Sequence, residues 1–450
     1  MPTILLPALA AAPVSAEERL GYVRRHLAQA YPGAPVELVG FAGSGLPVQV
    51  AALEAGFFDG TQPYPSAPNW REWAGRPVPF FFDDPAAPLL TLAAGSAVIG
   101  SDLLAAAFYL LSGWQEYFSD ERDQHGRFPY AASVQAQYGF VALPVVNYYF
   151  DVLRAALEHV TGQPLQPRRW GHQQTAFAAF ISHDVDNLRS GWKAPAKAAL
   201  RQGHLLRFAR LLGRRLTRPD PWDNLEDVAA QVAQYGAEST FFLLPVKGRA
   251  ANGTPNADYE LAPTSKFWQR LPTKCTLELH GSIGTSTNAQ ALIDEDENTL
   301  DALGVRFHYL SWDPAYTPTV VESSRFLFDS TLGFAEHYGF RNSYCLPFYP
   351  FNFAHGRAAH FLEIPLNVMD ATLHHPRYLQ LEPHEILPAL APLFADIRRF
   401  GGVASILWHN ENFDPANVRN GPREFHELMR HLQQAGAAFL TGREIWESYA

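Results

Sequence analysis

The spacing of apolar positions changes character near residue 175. Before it, residues 16–31 (AEERLGYVRRHLAQAY) place Leu20, Val23, Leu27 and Tyr31 at helical spacing. Residues 33–100 are rich in Pro and Gly with short apolar runs such as PVPFFF, a pattern of strands joined by turns. Residues 101–118 (SDLLAAAFYLLSGWQEYF) predict a helix with Ser101 as its N-cap, and another helix follows near 144–161. The polar residues 120–128 (DERDQHGRF) read as a solvated loop, with the wall of a cleft as the alternative. Residues 162–174 (GQPLQPRRWGHQQ) read as a linker.

After it, apolar strands alternate with helical stretches. The strands are FAAFISHD, STFFLLP, CTLELHG, VRFHYLS, RFLFDS, FLEIPL, VASILWH and AAFLT, and the helices lie near 223–235, 286–303, 384–400 and 421–435. Such alternation implies a parallel sheet, often closed as a barrel, whose reactive groups sit at the C-terminal ends of the strands. The expected architecture is a smaller α+β domain over residues 1–161, followed by a parallel α/β barrel over 175–450. A basic helical insertion at 191–218 (GWKAPAKAALRQGHLLRFARLLGRRLTR) interrupts the barrel, with eight Lys and Arg, no acid and interleaved leucines. It reads as the solvated face of a helical hairpin or as an amphipathic helix for an anionic glycan or a membrane surface.

Composition narrows the function classes. A net charge of -10 gives nucleic-acid binding no electrostatic support. Hydrophobic residues at 47% and charged residues at 18% fit an ordered globular chain. No run of eighteen apolar residues predicts a transmembrane helix. The start, MPTILLPALAAAPVSAEE, lacks a basic residue before Arg19 and reads as strand and loop, with a secretion signal as the alternative. Cys275 and Cys345 read as reduced thiols, and the expected location is cytoplasmic with export left open.

The chemistry collects at strand ends. Asp184 and Asp186 in SHDVD stand at i and i+2, which places both carboxylates on one side of an extended chain. Such a pair can divide labour between holding a divalent metal and taking a proton from metal-bound water. His280 ends the third strand in ELHGS, Arg306 and His308 lie in RFHYL, and His409 lies in LWHNE. Alternation puts Arg306, His308 and Leu310 on one face.

In order, these motifs resemble the polysaccharide deacetylase family (NodB homology, carbohydrate esterase family 4). SHDVD resembles its first motif, HGSIG its second, RFHYL its third, FDSTLGF the segment after the next strand and LWHNE the last. The phrases AAFYLLSGWQEY, GRFPYAAS, GFRNSYCLPF and LEIPLNVMDATL are similar to a bacterial branch with an uncharacterised N-terminal region. The resemblance implies a distorted (β/α) barrel, a zinc or other divalent ion, and an N-acetylated glycan as substrate. It implies Asp184 as catalytic base, Asp186 and His280 as metal ligands, Arg306 as the partner of the base and His409 as general acid. The family's second motif carries another His four residues after the first, where this chain has Gly284. A catalytic zinc usually has three protein ligands, so His308 is the candidate third. Tyr309, Trp312 and Trp408 are candidates for stacking on a pyranose ring, with core packing as the equal alternative for each, and Arg341 is a candidate for binding substrate. With the second His replaced, a non-catalytic glycan-binding domain is the alternative to an N-deacetylase.

Overall fold

The computed structural model describes residues 14–261, 274–297, 300–417 and 421–449. The apolar start read as strand and loop falls on residues 1–13, outside the described residues.

The first helix, Ala16–Ala30, opens with a capping box in which Ser15 and Glu18 satisfy each other's backbone N–H, and it turns Leu20, Val23 and Leu27 inward. Six short strands follow: β1 (Val39–Phe41), β2 (Val48–Val50), β3 (Asn69–Trp73), β4 (Arg76–Phe80), β5 (Leu90–Ala93) and β6 (Ser96–Ile99). Four of them form a sheet in the order β1-β2-β6-β5, and β3 with β4 forms a separate hairpin. The helix expected over 101–118 is two helices, Leu103–Ser112 and Trp114–Phe118, divided at Gly113 with φ 73°. The cap is Asp102 rather than Ser101, because the Asp102 carboxylate accepts Ala105 N–H at 3.0 Å and Leu53 N–H at 2.8 Å.

Beyond residue 175 the strands are β7 (Ala178–Val185), β8 (Ser239–Leu243), β9 (Cys275–Gly281), β10 (Gly304–Phe307), β11 (Phe328–Asp329), the hairpin β12 (Phe351–Asn352) and β13 (Arg357–Ala358), β14 (Leu362–Glu363), β15 (Val368–Met369), β16 (Val403–Leu407) and β17 (Ala438–Phe439). The large sheet runs β14-β11-β10-β9-β8-β7-β16-β15 with every pair parallel, and β17 pairs beside the start of β7. Its two edges belong to one extended stretch. Ile364 N–H reaches Asp329 O and Leu366 N–H reaches Leu332 O, whereas Asn367 N–H reaches Ser405 O. The chain from β14 to β15 therefore bridges from β11 to β16 and curls the sheet into a distorted barrel.

Alternation along β7 fills that barrel. Ala178 and Phe180 pack inside with Phe242, Phe328, Leu362 and Val403, while Ala179, Ile181 and Val185 join the larger core outside. Ser182 and Asp184 share the inward face and form a polar upper layer. The stretch 162–174 is not a plain linker. Trp170 is fully buried in the barrel cluster and donates its indole N–H to Gly401 O at 2.7 Å. The strand expected through VRFHYLS ends at Phe307, because His308–Leu310 turns away with Tyr309 at φ 60° and Leu310 at φ 54°.

Candidate active site

Because all strands of the large sheet are parallel, their C-terminal ends share one mouth. Asp184 lies near the end of β7 and Asp186 just beyond it, His280 is next to last in β9, and His308 follows β10. Asp370 follows β15, and His409 follows β16. The register sets Arg306 opposite His280.

Three donor atoms converge there. His280 Nε2 and His308 Nδ1 are 3.1 Å apart, and Asp186 Oδ1 lies 3.4 Å from the first and 3.5 Å from the second. Zinc bonds of 2.0–2.2 Å in a tetrahedron put neighbouring ligands about 3.3 Å apart, so the three sides have the length of a coordination face. The tautomers agree with this. His280 Nδ1–H donates to Arg306 O at 2.8 Å and His308 Nε2–H donates to Pro255 O at 3.1 Å, so each ring, when neutral, turns a lone pair on its other nitrogen toward the centre of the triad. Asp186 Oδ1 is buried with no hydrogen-bond partner. A cation, either a proton on His280 or a metal ion, relieves the repulsion among these electron-rich atoms. These residues fit a divalent metal. Gly284, where the resemblance expects a second His, lies at φ 95° in open space, so the third donor comes from β10 instead of the β9 loop.

The charges follow the same geometry. Burial pushes His308 down to about 4. Burial also opposes charge on His280, but Asp184 and Asp186 outweigh it and raise the group. Burial raises Asp186 less than His308, His280 and His409 lower it, so it stays below the usual carboxylate range.

Two further groups flank the triad. Arg306, fully buried above the Phe242 ring, donates to Asp184 Oδ1 at 2.8 Å and to Ser330 O at 2.8 Å. Asp184 Oδ2 is left facing His280 Nε2 at 3.7 Å. On the other side, His409 Nδ1–H donates to Asp370 Oδ1 at 2.7 Å, and its Nε2 stands 4.0 Å from Asp186 Oδ2. Burial opposes charge on His409, yet Asp370 prevails and the group is raised to about 10. An open cleft lined by Asp186, His374, His409, Glu411 and Asn412 leads to this point.

The structure thus brings Asp184, Asp186, His280, Arg306, His308 and His409 together. It separates three other expected residues from the cleft. Trp408 is completely buried against Phe425 and offers no face to a sugar. Trp312 lies in the main core at 4% exposure. Arg341 is buried in a two-pronged pair with Glu116 at 2.8 and 2.6 Å, which ties the N-terminal region to the barrel. Tyr309 stays half-exposed beside His308.

Sequence reading missed Asp370, and it ranked the solvated-loop reading of 120–128 above the wall of a cleft. Asp370 sits in LEIPLNVMDATL, where its two-residue strand is too short to show alternation. The 120–128 segment is not a free loop. Arg127 donates to Tyr309 O at 2.7 Å, Asp123 pairs with Arg127, and Phe128 is buried with Val141 and Phe334.

Comparison with known proteins gives two findings. The C-terminal region matches solved polysaccharide deacetylases. One is a putative polysaccharide deacetylase from Mycobacterium smegmatis, at 14% identity and TM-score 0.40, covering 63% of this chain and 93% of that one. Another is a putative polysaccharide deacetylase involved in O-antigen biosynthesis from Bordetella bronchiseptica, at 12% identity and TM-score 0.28, covering 62% and 91%. PuuE allantoinase also matches, at 13% identity and TM-score 0.35, covering 60% and 90%. Residues 47–162 match a family of unknown function, DUF7033. No curated protein matches. Among the described residues no helix is long and apolar enough to cross a membrane.

Proposed function

We propose that the protein is a divalent-metal hydrolase, with zinc as the metal, that removes N-acetyl groups from a glycan. The observation that carries this reading is the meeting of three potential ligand atoms, from Asp186, His280 and His308, with an Arg-held Asp and an Asp-held His around one cleft. Asp186, His280 and His308 would hold the ion. When bound, it would supply Lewis-acid polarisation of the amide carbonyl and acidify water.

The chain's own groups handle the protons. Arg306 occupies Asp184 Oδ1 and turns Oδ2 toward the triad, where it takes the proton of the attacking water. As the water oxygen bonds to the carbonyl carbon and the C–N bond breaks, the amine needs a proton to leave. His409 Nε2 supplies it, because Asp370 holds Nδ1 and keeps the ring charged at neutral pH. Tyr309, half-exposed at the rim with His125 stacked on one face, is the proposed contact for a pyranose. The proposed location is the cytoplasm, a reducing compartment in which Cys275 and Cys345 would stay as thiols.

The test is acetate release from N-acetylglucosamine oligomers by the zinc-loaded full chain. Asp184→Asn and His409→Ala should each slow it by roughly 10²-fold or more while leaving zinc binding intact. Glycan binding by the parent with no acetate release would favour a non-catalytic binding domain instead.

A further inference from the structure

Between β7 and the helix Leu225–Ala233, the chain forms two helices, Lys193–Arg201 and Leu205–Thr217, that pack against each other as a hairpin. The second helix buries none of its thirteen residues. Leu205, Ala209, Leu212 and Leu216 recur at helical spacing and form one stripe, while Arg207, Arg210 and Arg214 form the opposite one. A helix of a soluble domain normally turns its apolar stripe inward. Here Phe208 and Leu211 are only partly covered, and Leu205, Leu206 and Leu216 are 65%, 87% and 80% exposed.

The charges on this hairpin are unanswered too. Residues 191–218 carry Lys193, Lys197, Arg201, Arg207, Arg210, Arg214, Arg215 and Arg218 and no acid, in a chain of net charge -10. Among the described residues none of the eight forms a salt bridge. Arg215 lies over the Trp192 ring, and Lys193 donates to Ser190 Oγ. Asp220, the next acid along the chain, accepts Gly191 N–H and Trp222 N–H.

We propose that this hairpin docks the protein on an anionic lipid bilayer, with the leucines in the acyl boundary and the arginines among the phosphate headgroups. The two stripes together select this partner. A polyanion such as nucleic acid or an acidic glycan would answer the arginines and leave the leucines in water. An apolar protein groove would answer the leucines and leave eight cations unpaired. A membrane leaflet sets an anionic layer directly over an apolar one, the order this helix presents. The hairpin departs from the loop after Asp186, so the docking surface and the cleft share the C-terminal side of the barrel. The inference does not depend on the reaction proposed above.

Co-sedimentation of the full chain with vesicles tests it. Vesicles of equal parts phosphatidylcholine and phosphatidylglycerol should carry the protein down, and phosphatidylcholine alone should not. Arg210→Gln with Arg214→Gln should weaken binding and flatten its salt dependence. Leu206→Ser with Leu216→Ser should weaken it by about tenfold or more, the scale for withdrawing two leucines from an apolar phase. Each variant should melt like the parent, since these side chains are exposed. Equal sedimentation with both vesicle types, or no loss on removing the leucines, overturns the proposal. So does binding to heparin or nucleic acid without binding to vesicles, or a dimer that the leucine variant dissociates.

Discussion

His125 lies flat on Tyr309, with ring centroids 4.6 Å apart and planes inclined at 13°. The two residues come from opposite parts of the chain, and Arg127 reinforces the contact by donating to Tyr309 O. Tyr309 holds a left-handed backbone, φ 60°, that a tyrosine adopts only when its surroundings impose it. The N-terminal region therefore sets the rim of the barrel's site. His125→Ala removes a stacked pair worth about 0.5–1.5 kcal/mol. On glycan oligomers it should raise KM several-fold and leave kcat nearly unchanged. An unchanged KM would place this loop outside the substrate's path.

The proposed metal triad makes a prediction about equality. His308 stands as close to the other donors as His280 does, so His308→Ala, His280→Ala and Asp186→Ala should weaken zinc to similar extents. Each loss should exceed the roughly 10–100-fold typical of outer-shell partners. Zinc titration with a competing chelator measures all three. Parent-like affinity in His308→Ala would remove it from the ligand set.

The legible part of this site is the part written at strand ends. SHDVD, ELHGS and RFHYL each close an apolar run, so a parallel sheet had to bring their polar tips to one mouth. Asp370 escaped because a two-residue strand has no readable period, although its side chain fixes His409. For the 120–128 segment local polarity favoured a solvated loop over the wall of a cleft, because its partner Tyr309 lies 182 positions away from Arg127 and polarity cannot reveal a contact at that distance. Trp312 and Trp408 took the core-packing alternative, and Arg341 left the substrate-binding reading. Residue type suggested substrate contact, but each faces the core, and nothing in a side chain's chemistry tells which way its backbone turns it.

Glu116 and Arg341 form a fully buried pair across the joint between the N-terminal region and the barrel. Arg341 also donates to Gly333 O, and Gln135 donates to Arg341 O. Removing one partner strands the other charge away from water. Glu116→Ala should therefore cost about 3–5 kcal/mol, read as a fall in the urea midpoint. A loss near that of an exposed ion pair, about 1 kcal/mol or less, would show that water reaches the joint.

The Asp370–His409 pair predicts a pH dependence with a definite sign. Burial alone would drive His409 to its neutral form, but the carboxylate bonded to Nδ1 raises it to about 10. The folded protein thus binds the proton more tightly than an unfolded chain, in which His titrates near 6.5. The pair's contribution to stability is complete below about pH 6.5 and is lost as pH rises through about 10. Catalysis should follow the same group, because the proposed donor works only when charged. Asp370→Asn keeps the shape and removes the charge. It should move the alkaline limb of kcat/KM for acetate release to lower pH by more than a unit, and it should flatten the stability difference between neutral and alkaline solution. A role limited to holding the ring in place would lower kcat/KM equally at all pH values and leave the limb where it was. The position of that limb, read from a full pH profile of parent and variant, separates charge from orientation.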